Sequence, residues 1–106
     1  VTARYRFTDE AEAGFIRIAC DVRDRFGLSV SRTVARDLER AFQLIAAQPG
    51  IGHRRDDLTS NEHLRFWQQG QTLIAYHRVE FGVEILFVER SERNWGDLLA
   101  EQPPSI

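Results

Sequence analysis

The apolar and polar positions divide the chain into a strand, two helices and three further strands. From Arg4 to Thr8 the residues alternate, with Tyr5 and Phe7 on one side and Arg4 and Arg6 on the other, which predicts a short strand. Thr8-Asp9-Glu10 then reads as a helix start, with Asp9 and Glu12 at capping-box spacing. Ala11, Phe15, Ile18, Ala19, Val22 and Phe26 recur at helical spacing, and Gly27 is a natural stop. Ser29 or Ser31 is a candidate cap for a second helix whose buried stripe is Val34, Leu38, Ala41, Phe42 and Ile45, ending before Pro49. The connection between the helices is very short, which favours an antiparallel hairpin.

Beyond the helices, strands are predicted over His63 to Gln68, Thr72 to Val79 and Val83 to Glu89, separated by turns at Gln69-Gly70 and Glu80-Phe81-Gly82. Ile85-Leu86-Phe87-Val88 is apolar on both faces, so the last strand belongs inside a sheet. Glu92 to Glu101 has a weak helical pattern through Trp95, Leu98 and Leu99, and Pro103-Pro104 ends regular structure. The expected fold is a two-layer α+β domain: an N-terminal strand and a three-stranded antiparallel meander complete one small sheet, with the helical hairpin on one face. The other face then needs a solvent-tolerant surface or a partner.

Size and composition fit one domain with a single core spanning residues 1–106. The lone Cys20 cannot form an internal bridge and reads as a buried thiol in a helix, which fits a reducing compartment. No stretch has the length of a membrane span, and the N-terminus lacks a basic-then-apolar signal pattern, so a cytoplasmic location is expected. A formal net charge of −2 argues against a broad electrostatic grip on nucleic acid. Lysine is absent: all 14 basic side chains are arginine. Arginine forks suit carboxylates, phosphates and protein interfaces, although a GC-rich genome accounts for such usage without any functional demand.

The chemistry-bearing segment runs from Pro49 to Arg65. It holds Gly50, Gly52, His53, Arg54, Arg55, Asp56 and Asp57 in the connection between the helical and strand-rich halves. Arg65 either pairs with Asp56, Asp57 or Glu84 or contacts a ligand; spacing leaves both open. Trp67 and Trp95 are core residues or aromatic anchors for a partner. The charged residues of the second helix, Arg32, Arg36, Asp37, Glu39 and Arg40, read mainly as its solvated face. His53, His63 and His77 are scattered and read as surface residues, with Tyr76 and His77 on opposite faces of their strand. No His/Cys spacing suggests zinc and no glycine-rich phosphate loop opens a helix, so neither metal nor cofactor is expected.

The ordered set Ala11, Phe26-Gly27, Ala35, Leu38, Pro49, Gly52, Arg54-Arg55-Asp56-Asp57-Leu58, Leu64-Arg65, Leu73-Ile74-Ala75-Tyr76-His77-Arg78 and Gly82-Val83-Glu84-Ile85-Leu86-Phe87-Val88 resembles the ParE/RelE superfamily, the toxin subunits of bacterial type II toxin–antitoxin pairs. The likeness runs from Tyr5 to Leu99. RelE-like members cut messenger RNA on the ribosome; ParE-like members are not nucleases and are associated with inhibition of DNA gyrase. After the last strand, ParE-like chains often read Leu-His-Gly-x-Arg-Asp. Here the run is Glu89-Arg90-Ser91-Glu92-Arg93-Asn94, which keeps only the arginine, Arg93.

Metal-free RNA cleavage needs a base, an acid and cations on the phosphate. RelE-like nucleases resemble one another in supplying lysines and arginines and often a tyrosine or histidine near the C-terminus. This chain has no lysine and no tyrosine or histidine beyond His77. The resemblance therefore favours the ParE-like branch, with no catalytic residue. It implies a cognate antitoxin (ParD-like or other) in a toxin–antitoxin hetero-oligomer, and gyrase as target. The antitoxin is expected in the groove beside the hairpin and at the sheet edge, at Phe15, Arg23, Arg36, Arg40 and Trp67. Target contact is expected at Arg54, Arg55, Arg65, Arg90, Arg93 and Trp95. On this division, removing Trp95 to Ile106 is expected to reduce toxicity and spare antitoxin binding. The alternatives are a RelE-like ribonuclease using Arg65, Arg90, Arg93 and His53, and a module that binds an antitoxin but poisons nothing.

Overall fold

The computed structural model describes residues 4–101; the proline pair Pro103-Pro104 lies outside that range. The elements are β1 (Arg4–Phe7), α1 (Asp9–Phe26), α2 (Leu28–Ala47), a short 3-10 turn (Pro49–Ile51), β2 (Arg65–Gln69), β3 (Thr72–Val79), β4 (Gly82–Arg90) and α3 (Trp95–Glu101). The sheet order is β1-β4-β3-β2. β2, β3 and β4 form the antiparallel meander, while β1 runs parallel to β4 after the chain crosses over through the hairpin. The α+β class and the small single sheet agree with the hydrophobic pattern.

Both helix starts lie one residue or more from their expected places. Thr8, not Asp9, caps α1: its hydroxyl accepts the Ala11 N–H at 3.1 Å and donates to the Leu86 carbonyl at 2.7 Å. Asp9 is already in the first turn, where a carboxylate still complements the helix dipole. Gly27 alone joins the helices. Its φ of 96° is open to glycine and strained for other residues, so one residue ends α1 and starts α2. Neither Ser29 nor Ser31 is the cap; Ser31 is buried inside α2 and donates its hydroxyl to the Ala19 carbonyl at 2.7 Å, holding the hairpin together.

β4 carries one extra residue relative to β3. Ala75 pairs with Phe87 and Tyr76 with Ile85, leaving Leu86 as a bulge. The bulge explains the run that is apolar on both faces. Val83, Ile85 and Val88 pack toward the helices with Phe42, Ile45, Leu38 and Tyr76. Leu86 and Phe87 join a second cluster on the opposite face with Leu64, Phe66, Leu73 and Trp95. Part of the second face is thus covered by the chain's own α3, with Leu58 and Leu64 of the loop, where a solvent-tolerant surface or a partner was expected. Trp95, 2 % exposed, meets Phe66 and Phe87 edge-on at centroid distances of 6.1 and 6.2 Å, and its indole N–H donates to the Arg90 carbonyl at 3.0 Å.

Candidate functional site

The connection after α2 is fastened to the sheet by Tyr76. Its hydroxyl donates to the Pro49 carbonyl at 2.7 Å and accepts the Gly52 N–H at 2.9 Å. Burial raises the phenol pKa, opposed by the Gly52 N–H and by Arg65 and Arg78. A Cβ at Gly52 would lie 2.4 Å from the Tyr76 hydroxyl, so glycine is required for close approach, not for an unusual φ. His53 then makes a two-bond bridge to Phe66, each N–H donating to the other's carbonyl at 2.8 Å, which covers part of the outer edge of β2.

This fastening presents the loop arginines. Arg54 pairs with Asp56 at 3.1 Å, and Arg55 holds both oxygens of Asp57 at 2.9 Å. That fork lowers the Asp57 pKa and raises that of Arg55. Arg65 makes none of the three carboxylate pairs expected of it; it donates to the Gly52 carbonyl at 3.1 Å, bracing the loop from beneath.

Arg90 and Arg93 sit at a different corner. Arg65 is paired across the ladder with Tyr76 and Thr72 with Arg90, so the two groups are separated by about 13 Å along β3 and about 10 Å across two strand spacings. The predicted target set is therefore two sites. At the second, Arg90 pairs with Asp21 of α1, which also takes Arg25 at 3.2 Å. Buried Glu89 is bridged by Arg17 of α1 at 2.9 Å and by Arg93 at 3.1 Å. Arg17, Asp21, Arg25 and Glu89 were not among the predicted residues. The i, i+4 spacing of 17, 21 and 25 was the available signal, but it looks like any solvated helix face.

Trp95, expected at a target surface, is interior; the apolar face beneath α3 takes its ring, which corrects that assignment. Trp67 is half-buried on β2 against the helix-side core, and its indole nitrogen is enclosed without a hydrogen-bond partner. Phe15 packs edge-on against Phe42 at 5.5 Å, so most of its ring serves the core. Arg23, Arg36 and Arg40 are exposed on the hairpin; Arg23 lies 3.4 Å from Asp24 and Arg40 3.8 Å from Asp37. His53 and His63 are exposed, but His77 is buried, against expectation, because Glu84 receives its Nε2 at 2.8 Å. That hydrogen bond, with Arg6 at 2.9 Å, lowers the Glu84 pKa despite partial burial. Among the described residues no group of three or more His, Cys, Asp or Glu side chains could hold a metal ion.

A solved chain described as "Chromosomal ParDE TA system from P. aeruginosa" superposes with a TM-score of 0.69 at 14 % identity, over 86 % of this chain and 98 % of that one. At that identity the likeness shows a shared fold. A search of curated proteins finds no match. The family model described as ParE toxin of type II toxin-antitoxin system, parDE, matches residues 5–95. The chain belongs to this ParE toxin family.

Proposed function

We infer that this ParE-family toxin acts by binding rather than by cleaving RNA, that its target is DNA gyrase, and that a cognate antitoxin neutralises it in a hetero-oligomer in the cytoplasm. The observation that carries the non-nucleolytic reading is the placement of the proton-shuttling side chains. The Tyr76 hydroxyl is engaged by the Pro49 carbonyl and the Gly52 N–H, His77 by Glu84, and exposed His53 lies at the outer edge of β2, on the far side of β3 from Arg90 on β4. Tyr76 also stands about 13 Å along β3 from the residue paired with Arg90. The arginines at that corner meet carboxylates, and a guanidinium is a poor general base at neutral pH. The gyrase assignment rests on the ParE family; the antitoxin assignment rests on the family and on the exposed hairpin arginines.

A supercoiling assay on purified gyrase tests the target. Dose-dependent loss of supercoiling is expected, relieved by the product of an adjacent small reading frame. Unchanged supercoiling together with codon-specific messenger cuts that vanish in Arg65→Ala would establish the ribonuclease instead. Unimpaired growth after soluble expression without antitoxin would establish a non-toxic module.

A further inference from the structure

The corner between α1 and the end of β4 has a use that its internal pairing does not exhaust. A cleft of about 220 Å³ opens there, lined by Arg17, Ile18, Asp21, Glu89, Arg90 and Arg93. With Arg25, four guanidiniums share two carboxylates, each carboxylate bridged by two arginines. A guanidinium has five N–H donors, and these ion pairs occupy a minority of them. At Glu89 the carboxylate is the more enclosed partner, 8 % exposed against 56 % and 46 % for Arg17 and Arg93, whereas Asp21 and Arg90 are about equally exposed, at 33 % and 29 %. Glu89 thus holds the two arginines in place while their outer donors face water. The cleft already shows the ligand chemistry it accepts, the carboxylate.

A second observation indicates what accompanies that carboxylate. An adjoining trough of about 300 Å³ shares Ile18 and Arg90 with the cleft and is otherwise lined mainly by Val22, Phe26, Val30 and Val34. Phe26 and Val30 are 67 % and 44 % exposed, a large apolar display at the tip of the hairpin. The two depressions form one track, apolar at the hairpin tip and cationic toward α3. We propose that this track binds a segment of a partner protein with apolar side chains followed by a glutamate or aspartate, the carboxylate being held by the free forks of Arg17, Arg90 and Arg93. Nucleic acid is the poorer fit, because the valine-lined trough continuous with the cleft offers its polar backbone no hydrogen bonds. The inference rests on the chain being a toxin held by a partner, and adds the chemistry and place of that contact.

The test is fluorescence anisotropy on the full chain with a labelled amphipathic peptide carrying leucines on one face and glutamates on the other. Its glutamine counterpart and a short oligouridylate are the comparison probes. The glutamate peptide binds, weakens with added salt, and loses about tenfold or more in affinity when glutamine replaces glutamate, which is the scale of one charge-assisted bond. Arg93→Gln and Arg17→Gln each reproduce that loss, Arg17→Lys loses less than Arg17→Gln, and Arg78→Gln on β3 has no effect. Phe26→Ser weakens both peptides. Circular dichroism and urea melts confirm that each variant is folded before its affinity is read. No binding of the glutamate peptide, equal affinity for its glutamine counterpart, or tighter arginine-dependent binding of the oligouridylate overturns the proposal. A chain that arrests growth yet ignores the peptide overturns this inference alone; one that binds the peptide yet is harmless overturns the toxin reading alone.

Discussion

The Tyr76 hydroxyl and the Gly52 N–H, 2.9 Å apart, join the middle of the sheet to the loop that carries Arg54 and Arg55. The same oxygen donates to the Pro49 carbonyl, so one side chain closes both ends of the turn after α2. Arg65 completes the fastening through the Gly52 carbonyl. The arginine loop is therefore positioned by β3 and β2, not by its own turn residues.

Removing the hydroxyl with Tyr76→Phe leaves the Gly52 N–H and the Pro49 carbonyl without a buried partner. A loss of about 1–3 kcal/mol is expected, read by urea unfolding. Gly52→Ala is expected to be at least as harmful, since its Cβ would stand 2.4 Å from the tyrosine oxygen. The double variant Gly52→Ala/Tyr76→Phe removes the nearest of these contacts, leaving the ring carbon at 2.9 Å and the Phe66 carbonyl at 3.0 Å, and is expected to be less destabilised than the sum of the singles. Strict additivity would show that the two residues do not interact.

Trp95→Ala is expected to destabilise the fold by about 3–5 kcal/mol, because it opens a cavity between Phe66 and Phe87 and removes the bond to the Arg90 carbonyl. Thermal melts and dye binding to exposed apolar surface report it. The expectation that the chain from Trp95 onward is dispensable for antitoxin binding changes accordingly. Truncation there uncovers the Leu64, Phe66 and Phe87 face and lowers both activities through loss of folded protein.

Element order, the hairpin and the two-faced β4 follow from periodicity, because burial imposes it on every helix and strand. The role of α3 did not, since a short helix with Trp95, Leu98 and Leu99 has the same pattern whether it covers its own sheet or a partner. Nor did the parallel β1–β4 pair, because one short alternating strand carries no record of its neighbour. At the site, Gly52 stood out as a glycine, but the reason for it is Tyr76, 24 residues away. Arg90 and Arg93 were visible as arginines, while the acids that hold them, Asp21 and Glu89, were hidden among 16 acidic residues.

The Glu84 carboxylate gives the fold an acid-sensitive contact. The hydrogen bond with His77, and then Arg6, lowers its folded pKa below the ordinary 4.5. A depressed carboxylate pKa stabilises the fold fully above the unfolded value, and the contribution is lost as pH falls through the folded one. Urea midpoints measured from pH 6 down to pH 3 are expected to fall less steeply in Glu84→Gln than in the parent chain. Parallel curves would show that Glu84 contributes no acid sensitivity, leaving Asp57, also lowered by Arg55, as the other candidate.

Gly14 offers the sharpest contest between local and tertiary preference. It lies in the interior of α1, where alanine is favoured over glycine by about 1 kcal/mol in an isolated helix. A Cβ there would stand 2.1 Å from the Val88 carbonyl oxygen, a backbone atom in the central strand that cannot swing aside. Admitting it requires α1 to rise from β4, loosening Ile18 and Val22 in the core and separating Arg17 from Glu89. Gly14→Ala is therefore expected to lower stability by about 1–3 kcal/mol despite its better helix propensity, and to weaken the acidic-peptide affinity along with it. A urea midpoint raised by the substitution would mean that α1 does not approach β4 closely enough to exclude a methyl group.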